Sequence, residues 1–431
     1  MTERSVRIHV PALTRVEGEG SLRLRIESGQ IEELALDIFE PPRYFEKFLE
    51  GRRHHEVIDT VARICGICPI AYQMSAAQAL EDAFGMTPSD WVRDMRRLFY
   101  CGEWLQSHAL HVHLLAAPDF LGFDSVVGMA EKYPEEVRRG LRLQGLGNRL
   151  ISLLGGRSVH PVGARVGGFH DAPDAGEATQ MLGALQQSLP DAVSLVEWAA
   201  ALPMPDDRQS FTCVSLRHPD DYPLGEGRIV SDHGLDIAVD EYEQHFVEEH
   251  RPQSTALFSL LDGEPYLVGP LARLNLNLDR LPPASRELLA RTGVQFPSDN
   301  MFHSLLARAL EIHVAIVEAI RILEDYRRPP AAFAQETPIA GVGYGATEAP
   351  RGLLWHRYEI DDRGIVRQAR IVPPTSQNQA RIEIDLQRSL LNLGLDQDDD
   401  ALRLRAETVI RNYDPCISCA THFLTLDVTR K

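Results

Sequence analysis

The chain has 431 residues, 44% of them hydrophobic, and a formal net charge of −18. That is enough apolar mass for a large core in one big domain or two intimate ones, while so acidic a surface argues against nucleic acid and anionic membranes as main partners. No apolar run reaches the roughly 18 residues of a membrane span, and the opening MTERSVRIHV lacks the basic-then-apolar layout of a signal peptide, so a cytoplasmic protein is expected.

The first elements in chain order are strands. Residues Ser5–Val10, Ser21–Ile26 and Ile31–Ile38 alternate apolar and polar side chains, with a Glu-Ser-Gly-Gln turn before the third. From about Tyr44 the pattern turns helical: Tyr72–Phe84, Trp91–Leu115, Glu135–Leu154 and Glu177–Ala201 carry apolar residues at helical spacing. Residues 205–298 are rich in Pro and Asp and read as irregular. Phe302–Leu323 is a helix with Phe302, Leu305, Leu306, Ala309, Ile316, Val317, Ile320 and Leu323 on one face. Trp355–Val372 reads as a hairpin turning at Asp-Asp-Arg-Gly. Two short helices, about 377–391 and 399–411, lead to the end of the chain. The expected class is mainly α with small β elements: an N-terminal antiparallel sheet over residues 1–40, a helical body over 41–422 and a short tail over 423–431.

Four of the six cysteines form two Cys-x-x-Cys pairs, Cys65 with Cys68 and Cys416 with Cys419, while Cys101 and Cys213 stand alone. Cysteines at i and i+3 face the same side of a turn, and four thiolates suit a soft or borderline metal. Spacing alone leaves a structural tetrathiolate zinc site open. Three features argue against it. The pairs lie near opposite ends of the chain, whereas zinc modules are compact. Both adjoin apolar helical sequence, which implies a buried site. Each has distinctive companions, Arg63 on one side and Asp414, Pro415 and His422 on the other. If the pairs meet, the chain closes on itself, which favours a single domain over 1–431. His108, His111 and His113 are more plausible as core or surface residues than as ligands, because their spacing alone is a weak signal. Cys101 and Cys213 read as small apolar residues.

The motifs together carry a resemblance. Arg63-x-Cys65-Gly66-x-Cys68 with Asp414-Pro415-Cys416-x-x-Cys419-x-x-His422 is similar to the signature pair of nickel–iron hydrogenase large subunits. Leu13–Gly18, Arg43–Arg52, His160-Pro161 with Gly167-Gly168, Glu348–Gly352 and Ile371–Thr375 resemble further family segments in the same order. The resemblance implies reversible cleavage of H2 at a nickel bound by all four thiolates and an iron sharing two of them. Cys65 and Cys416 would be terminal nickel ligands, and Cys68 and Cys419 would bridge the metals. The iron would carry carbon monoxide and cyanide. Arg351 would hang over the metals, its guanidinium always charged, and Asp414 would orient it. Read without the resemblance, Asp414 is a helix N-cap before Pro415. Glu17 would be the first proton relay, as a buried carboxylic acid suits that task. Glu46 and His422, with a backbone carbonyl near Arg370, would hold magnesium.

Four positions depart from the family pattern. Glu19 and Tyr72 stand where histidines are usual, the second of which often hydrogen-bonds a bridging sulfur. Ser107 stands where an acid is expected, and Pro374 where a serine binds cyanide, leaving Thr375 or backbone for that task. These departures resemble the soluble, NAD(P)-linked hydrogenases. No ferredoxin-type cysteine cluster and no Gly-x-Gly-x-x-Gly after a strand is present, so iron–sulfur clusters, flavin and nicotinamide would belong to partners: a small subunit and diaphorase subunits. Maturation proteins would build the metal site, and an endopeptidase would cut just after His422. Two alternatives remain at this point. One is a relative of the quinone-site subunit of respiratory NADH:quinone oxidoreductase, which the four cysteines oppose. The other is a zinc-stabilised scaffold.

Overall fold

A computed structural model describes residues 5–421; His422 and the tail expected to be cleaved, residues 423–431, lie outside that range. The three N-terminal strands, Val6–Val10, Gly20–Glu27 and Gln30–Ile38, form an antiparallel sheet in sequence order. Val6, Ile8 and Val10 are buried while Arg7 and His9 are exposed, the period-two pattern of a half-buried strand. Ser28 and Gly29 take left-handed backbone at the tight turn that pairs Glu27 with Gln30.

The helical body is built around Ser304–Glu324, which is buried on nearly all sides rather than on one face. Asp90–Leu110 packs on it and starts at Ser89, whose side chain accepts the Val92 N–H. The helix expected over Trp91–Leu115 changes character at His111, where a six-residue π turn, His111–Ala116, begins. Asp90–Leu110 crosses Pro134–Gly155 at very short range. A Cβ on Gly147 would lie 2.5 Å from the Gln106 nitrogen, and one on Gly102 2.9 Å from the Ile151 side chain.

Residues 205–298 are not irregular as expected. They hold a three-stranded sheet (Val214–Arg217, Arg228–Ser231, Asp236–Ile237), a hairpin (Phe246–His250 with Leu257–Leu261) and helices Pro270–Leu276 and Pro283–Arg291. Strands of two to five residues are too short for alternation to be read. The predicted hairpin, Gly352–Ile360 with Val366–Val372, gains a third strand, Gly341–Ala349. Its glycines hide the strand signal but serve packing. A Cβ on Gly343 or Gly345 would fall about 2 Å from the carbonyl of Ala79 or Ser75 on helix Pro69–Ala83. This sheet therefore lies directly on the helix that follows Cys68. Helices Pro374–Leu393 and Asp399–Tyr413 then bring the chain back to its start, where Glu17 and Cys416 form a parallel bridge.

Candidate metal centre

Cys68 precedes helix Pro69–Ala83, with Pro69 at the first helical position, where a missing N–H costs nothing. Cys416 likewise precedes the single turn Ile417–Ala420. The four sulfurs of the two pairs lie within 4.8 Å of one another and all four residues are buried. Cys65 and Cys416 are 3.5 Å apart at sulfur, Cys68 and Cys419 3.9 Å, and none is in a disulfide.

Several bonds hold the two loops together. Arg43 donates through one Nη2 to the Ile64 carbonyl at 2.6 Å and to the Ser418 carbonyl, clamping both cysteine turns. Thr375 Oγ1 accepts the Cys416 N–H at 3.1 Å. The N–H groups of Ile67 and Cys68 point at the Cys65 sulfur, 3.3 and 3.2 Å away. Gly18, with φ +91, lets the N-terminal segment approach closely: a Cβ there would lie 2.6 Å from that of Ile417. The carboxylate of Glu17 faces the site, its Oε2 accepting from the Cys416 thiol and from the Ser418 N–H, each at 3.1 Å. The hydrogen bond from Cys416 holds the Cys65 thiol well below its ordinary range, while burial pushes Cys416 up.

Arg351 lies beside the sulfurs, 3% exposed. Its Nε donates to the Asp414 carbonyl at 2.7 Å and one Nη2–H to Asp414 Oδ1 at 3.0 Å. Burial alone would pull the guanidinium down, but Asp414 and the cysteine sulfurs hold it firmly charged. Asp414 is not an N-cap, contrary to expectation. It takes left-handed backbone, φ 55, at the C-terminal end of Asp399–Tyr413, because the short helix begins only after Cys416. Arg351 Nη1 and Asp414 Oδ2 are buried without a protein partner among the described residues. Four soft donors in one buried pocket, with an unsatisfied N–H on the arginine beside it, fit a thiolate-bound metal pair whose remaining ligands accept hydrogen bonds.

The other expected positions fall as follows. Glu46 Oε1 accepts the Ile371 N–H at 2.7 Å, and burial pushes Glu46 up to about 8 against that bond. Glu46 thus reaches the backbone beside Arg370, whose own side chain pairs with Glu243 and, at 3.5 Å, Glu248. Arg63 is exposed. Ser107 is buried, and Asp414 is the one carboxylate in ion-pair range of Arg351 among the described residues. The three histidines do not converge. His108 pairs with Glu311 at 2.9 Å, His111 with the Arg411 carbonyl at 2.7 Å and His113 with the Ala109 carbonyl at 3.1 Å.

Sequence reasoning missed the support behind Arg351. Arg273, fully buried, donates to Glu311 and Glu348 and holds the Ala349 carbonyl at 2.9 Å, which fixes the loop carrying Arg351. Glu103, also fully buried, accepts the Ile70 and Ala71 N–H groups at 2.6 and 3.2 Å and so anchors the start of the helix after Cys68. Burial pushes Glu103 well above the usual carboxylate range. For Glu103 the sequence signal was a charge within apolar helical sequence, while Arg273 lay in the stretch read as irregular.

A buried four-sulfur pocket beside a fixed guanidinium suits a soft or borderline metal. The sequence profile of the nickel-dependent hydrogenases matches residues 43–139 and 253–422. The chain is 32% identical over 426 residues to Sulfhydrogenase 1 subunit alpha of Pyrococcus furiosus, covering 97% of this chain and 98% of that one. It is 28% identical to NAD-reducing hydrogenase HoxS subunit beta of Cupriavidus necator, with 97% and 95% covered. Among solved structures, an NAD+-reducing [NiFe]-hydrogenase in the H2-reduced state superposes with a TM-score of 0.87 at 29% identity, covering 97% of this chain and 99% of that one. The Ni-Fe-Se hydrogenase of D. vulgaris Hildenborough shares the fold at TM-score 0.80 and 22% identity, with 97% and 100% covered. The chain belongs to the nickel-dependent hydrogenase family. It is a catalytic large subunit, an oxidoreductase acting on H2, and its cysteine cluster fits nickel and iron. Among the described residues, no single helix is long and apolar enough to cross a membrane.

Proposed function

We propose that this subunit works in a cytoplasmic complex that exchanges electrons between H2 and NAD or NADP through an iron–sulfur small subunit and flavin-bearing diaphorase subunits. The observation that carries this reading is the match over nearly the whole chain to NAD-reducing enzymes, at 28% and 29% identity. Cys65 and Cys416 are assigned as terminal nickel ligands, Cys68 and Cys419 as bridging ligands to an iron bearing carbon monoxide and cyanide. When bound, the metal pair supplies the site at which the H–H bond is broken.

The chain's own residues do the rest. Arg351 keeps its charge, and its Nη1, buried without a protein partner, is the donor left for the reacting group. Asp414 fixes the plane of that guanidinium through two bonds. The Cys416 sulfur passes a proton to Glu17 Oε2 across 3.1 Å. The Ser418 N–H keeps that oxygen aimed at the sulfur. Thr375, whose oxygen accepts from Cys416, still has its hydroxyl proton to give to cyanide. Glu46 with His422 and the carbonyl near Arg370 would hold magnesium, and the tail after His422 would be removed once nickel is in place.

The test is purification with the partner subunits, followed by H2-driven reduction of NAD and NADP. Reduction of either nicotinamide supports the reading. A complex that reduces an artificial dye with H2 but neither nicotinamide rejects the acceptor and leaves the hydrogenase intact.

A further inference from the structure

Arg308 lies one helical turn into the central helix, Ser304–Glu324, and is 2% exposed. Burial pulls its guanidinium down to about 10 and Asp414 pushes back, so it stays charged at neutral pH. A buried charge needs partners, and those of Arg308 are carbonyl and hydroxyl oxygens rather than a carboxylate. Nη1 donates to the Asn412 carbonyl and to Ser304 Oγ, each at 3.2 Å, and Nη2 donates to the Tyr413 carbonyl at 3.3 Å. Asn412 and Tyr413 are the last two residues of helix Asp399–Tyr413. Carbonyls there have no donor within their own helix, and a cation at that end is favourable. The Asn412 side chain is held as well: its Oδ1 accepts from Ser304 Oγ at 2.8 Å and its Nδ2 donates to the Met301 carbonyl at 2.9 Å. The next residue is Asp414. Left-handed backbone is uncommon outside glycine and persists where the surroundings fix it. Asp414 has φ 55 and supplies both acceptors of Arg351, its carbonyl and its Oδ1. A shift of residue 414 would carry both acceptors with it. Arg308 and Arg351 also border the same cavity, about 20 Å³ in volume, a space so small that movement of one side chain is felt by the other.

We infer that Arg308 is a positioning residue for H2 cleavage: by gripping the carbonyls of Asn412 and Tyr413 it fixes Asp414, and through Asp414 the guanidinium plane of Arg351. The inference rests on the assignment of Arg351 as the donor beside a cyanide-bearing iron. Misplacing an oriented group by about 1 Å can cost about 10² in rate. Loosening the helix end should therefore slow the reaction while the four cysteine ligands stay in place.

The experiment compares the purified unmodified complex with Arg308→Gln, Arg351→Lys and the double variant, reading nickel and iron content, H2/D+ exchange and the infrared cyanide bands of each. Glutamine offers one amide nitrogen in place of the fork and no charge. The expected result for Arg308→Gln is full metal content, exchange slower by about 10–10², and cyanide bands displaced toward their position in Arg351→Lys. In the Arg351→Lys background the further loss from Arg308→Gln should be under about threefold, because residues that act through one group are not additive. Unmoved exchange or unmoved cyanide bands in a loaded Arg308→Gln would overturn the inference and leave the metal assignment standing. An equal fold-loss in both backgrounds would overturn it too, since Arg308 would then act independently of Arg351. If Arg308→Gln fails to load, Arg308→Lys, which keeps the charge, takes its place with the same readouts; failure of both to load assigns Arg308 to folding and overturns the inference. An unmodified complex without cyanide bands would remove the ligand assignment and this inference together.

Discussion

Arg351→Lys separates charge from geometry at the centre. Arginine at this position makes two bonds to Asp414, at 2.7 and 3.0 Å, and leaves Nη1 buried without a protein partner among the described residues. Lysine preserves the positive charge but has one nitrogen in place of a planar fork, so it can satisfy Asp414 or face the metals, not both. If it keeps Asp414, one charge-assisted bond goes, at a cost of about 1.5–3 kcal/mol in stability. The pocket then loses a preoriented donor, which removes about 3–4 kcal/mol of transition-state stabilisation, a fall of roughly 10²–10³ in turnover. The cysteine ligands are untouched, so nickel and iron content should match the unmodified protein. The assay is metal analysis followed by H2/D+ exchange, which reads the cleavage step without the partner acceptors. A fully loaded Arg351→Lys protein exchanging at the unmodified rate would refute the reasoning, since charge alone would then suffice.

Three further outcomes follow from the geometry. Glu17→Gln keeps the shape of the group on Cys416 but cannot take its proton, so exchange should slow by about 10²–10⁴ with metals retained; unchanged exchange in a loaded variant removes Glu17 from the relay. His113 is buried, stacks on Trp198, and burial holds it down to about 3. Its folded pKa lies below the unfolded value, so the unfolded chain takes the proton first and stability falls as pH drops below about 6.5. His113→Phe should therefore lose about 2 kcal/mol of the stability difference between about pH 7 and pH 5, measured by denaturant unfolding; an identical pH dependence in both proteins contradicts a neutral buried imidazole. Gly147→Ala would push a methyl to 2.5 Å from the Gln106 nitrogen at the crossing of two core helices. It should cost about 1–3 kcal/mol, and an unaltered Tm would mean the crossing is looser than described.

The sequence carried the site better than it carried the scaffold. Cys65, Cys68, Cys416 and Cys419 were legible because paired thiols at fixed spacing have few other uses, and their meeting follows from the need to share a metal. Long helices were legible because apolar residues recur over many turns. The π turn at His111 was not, since composition does not distinguish it from an α-turn. The strand Gly341–Ala349 was hidden by glycines selected for contact with a helix rather than for strand propensity. Asp414 pairs with Arg351 as the resemblance implied, but its second reading as an N-cap fails because Asp-Pro marks helix starts only locally, whereas here the backbone is set by the end of the preceding helix. Arg273, Glu103 and Glu311 drew no reading from the sequence, Arg273 lying in the stretch read as irregular, and only the tertiary fold buries them and brings them to their partners. Arg43 was visible as part of a family segment, but its clamp on both cysteine turns joins positions hundreds of residues apart.

The central claim is that the four cysteines hold nickel and iron together in one buried pocket. Purification of the chain with its partners, followed by metal analysis and by the same analysis on Cys68→Ala, tests it most directly. The account predicts nickel and iron in equal amounts in the unmodified protein, with both depleted in the variant because the bridging sulfur is gone. Zinc alone in the unmodified protein, or full nickel and iron in Cys68→Ala, would contradict it.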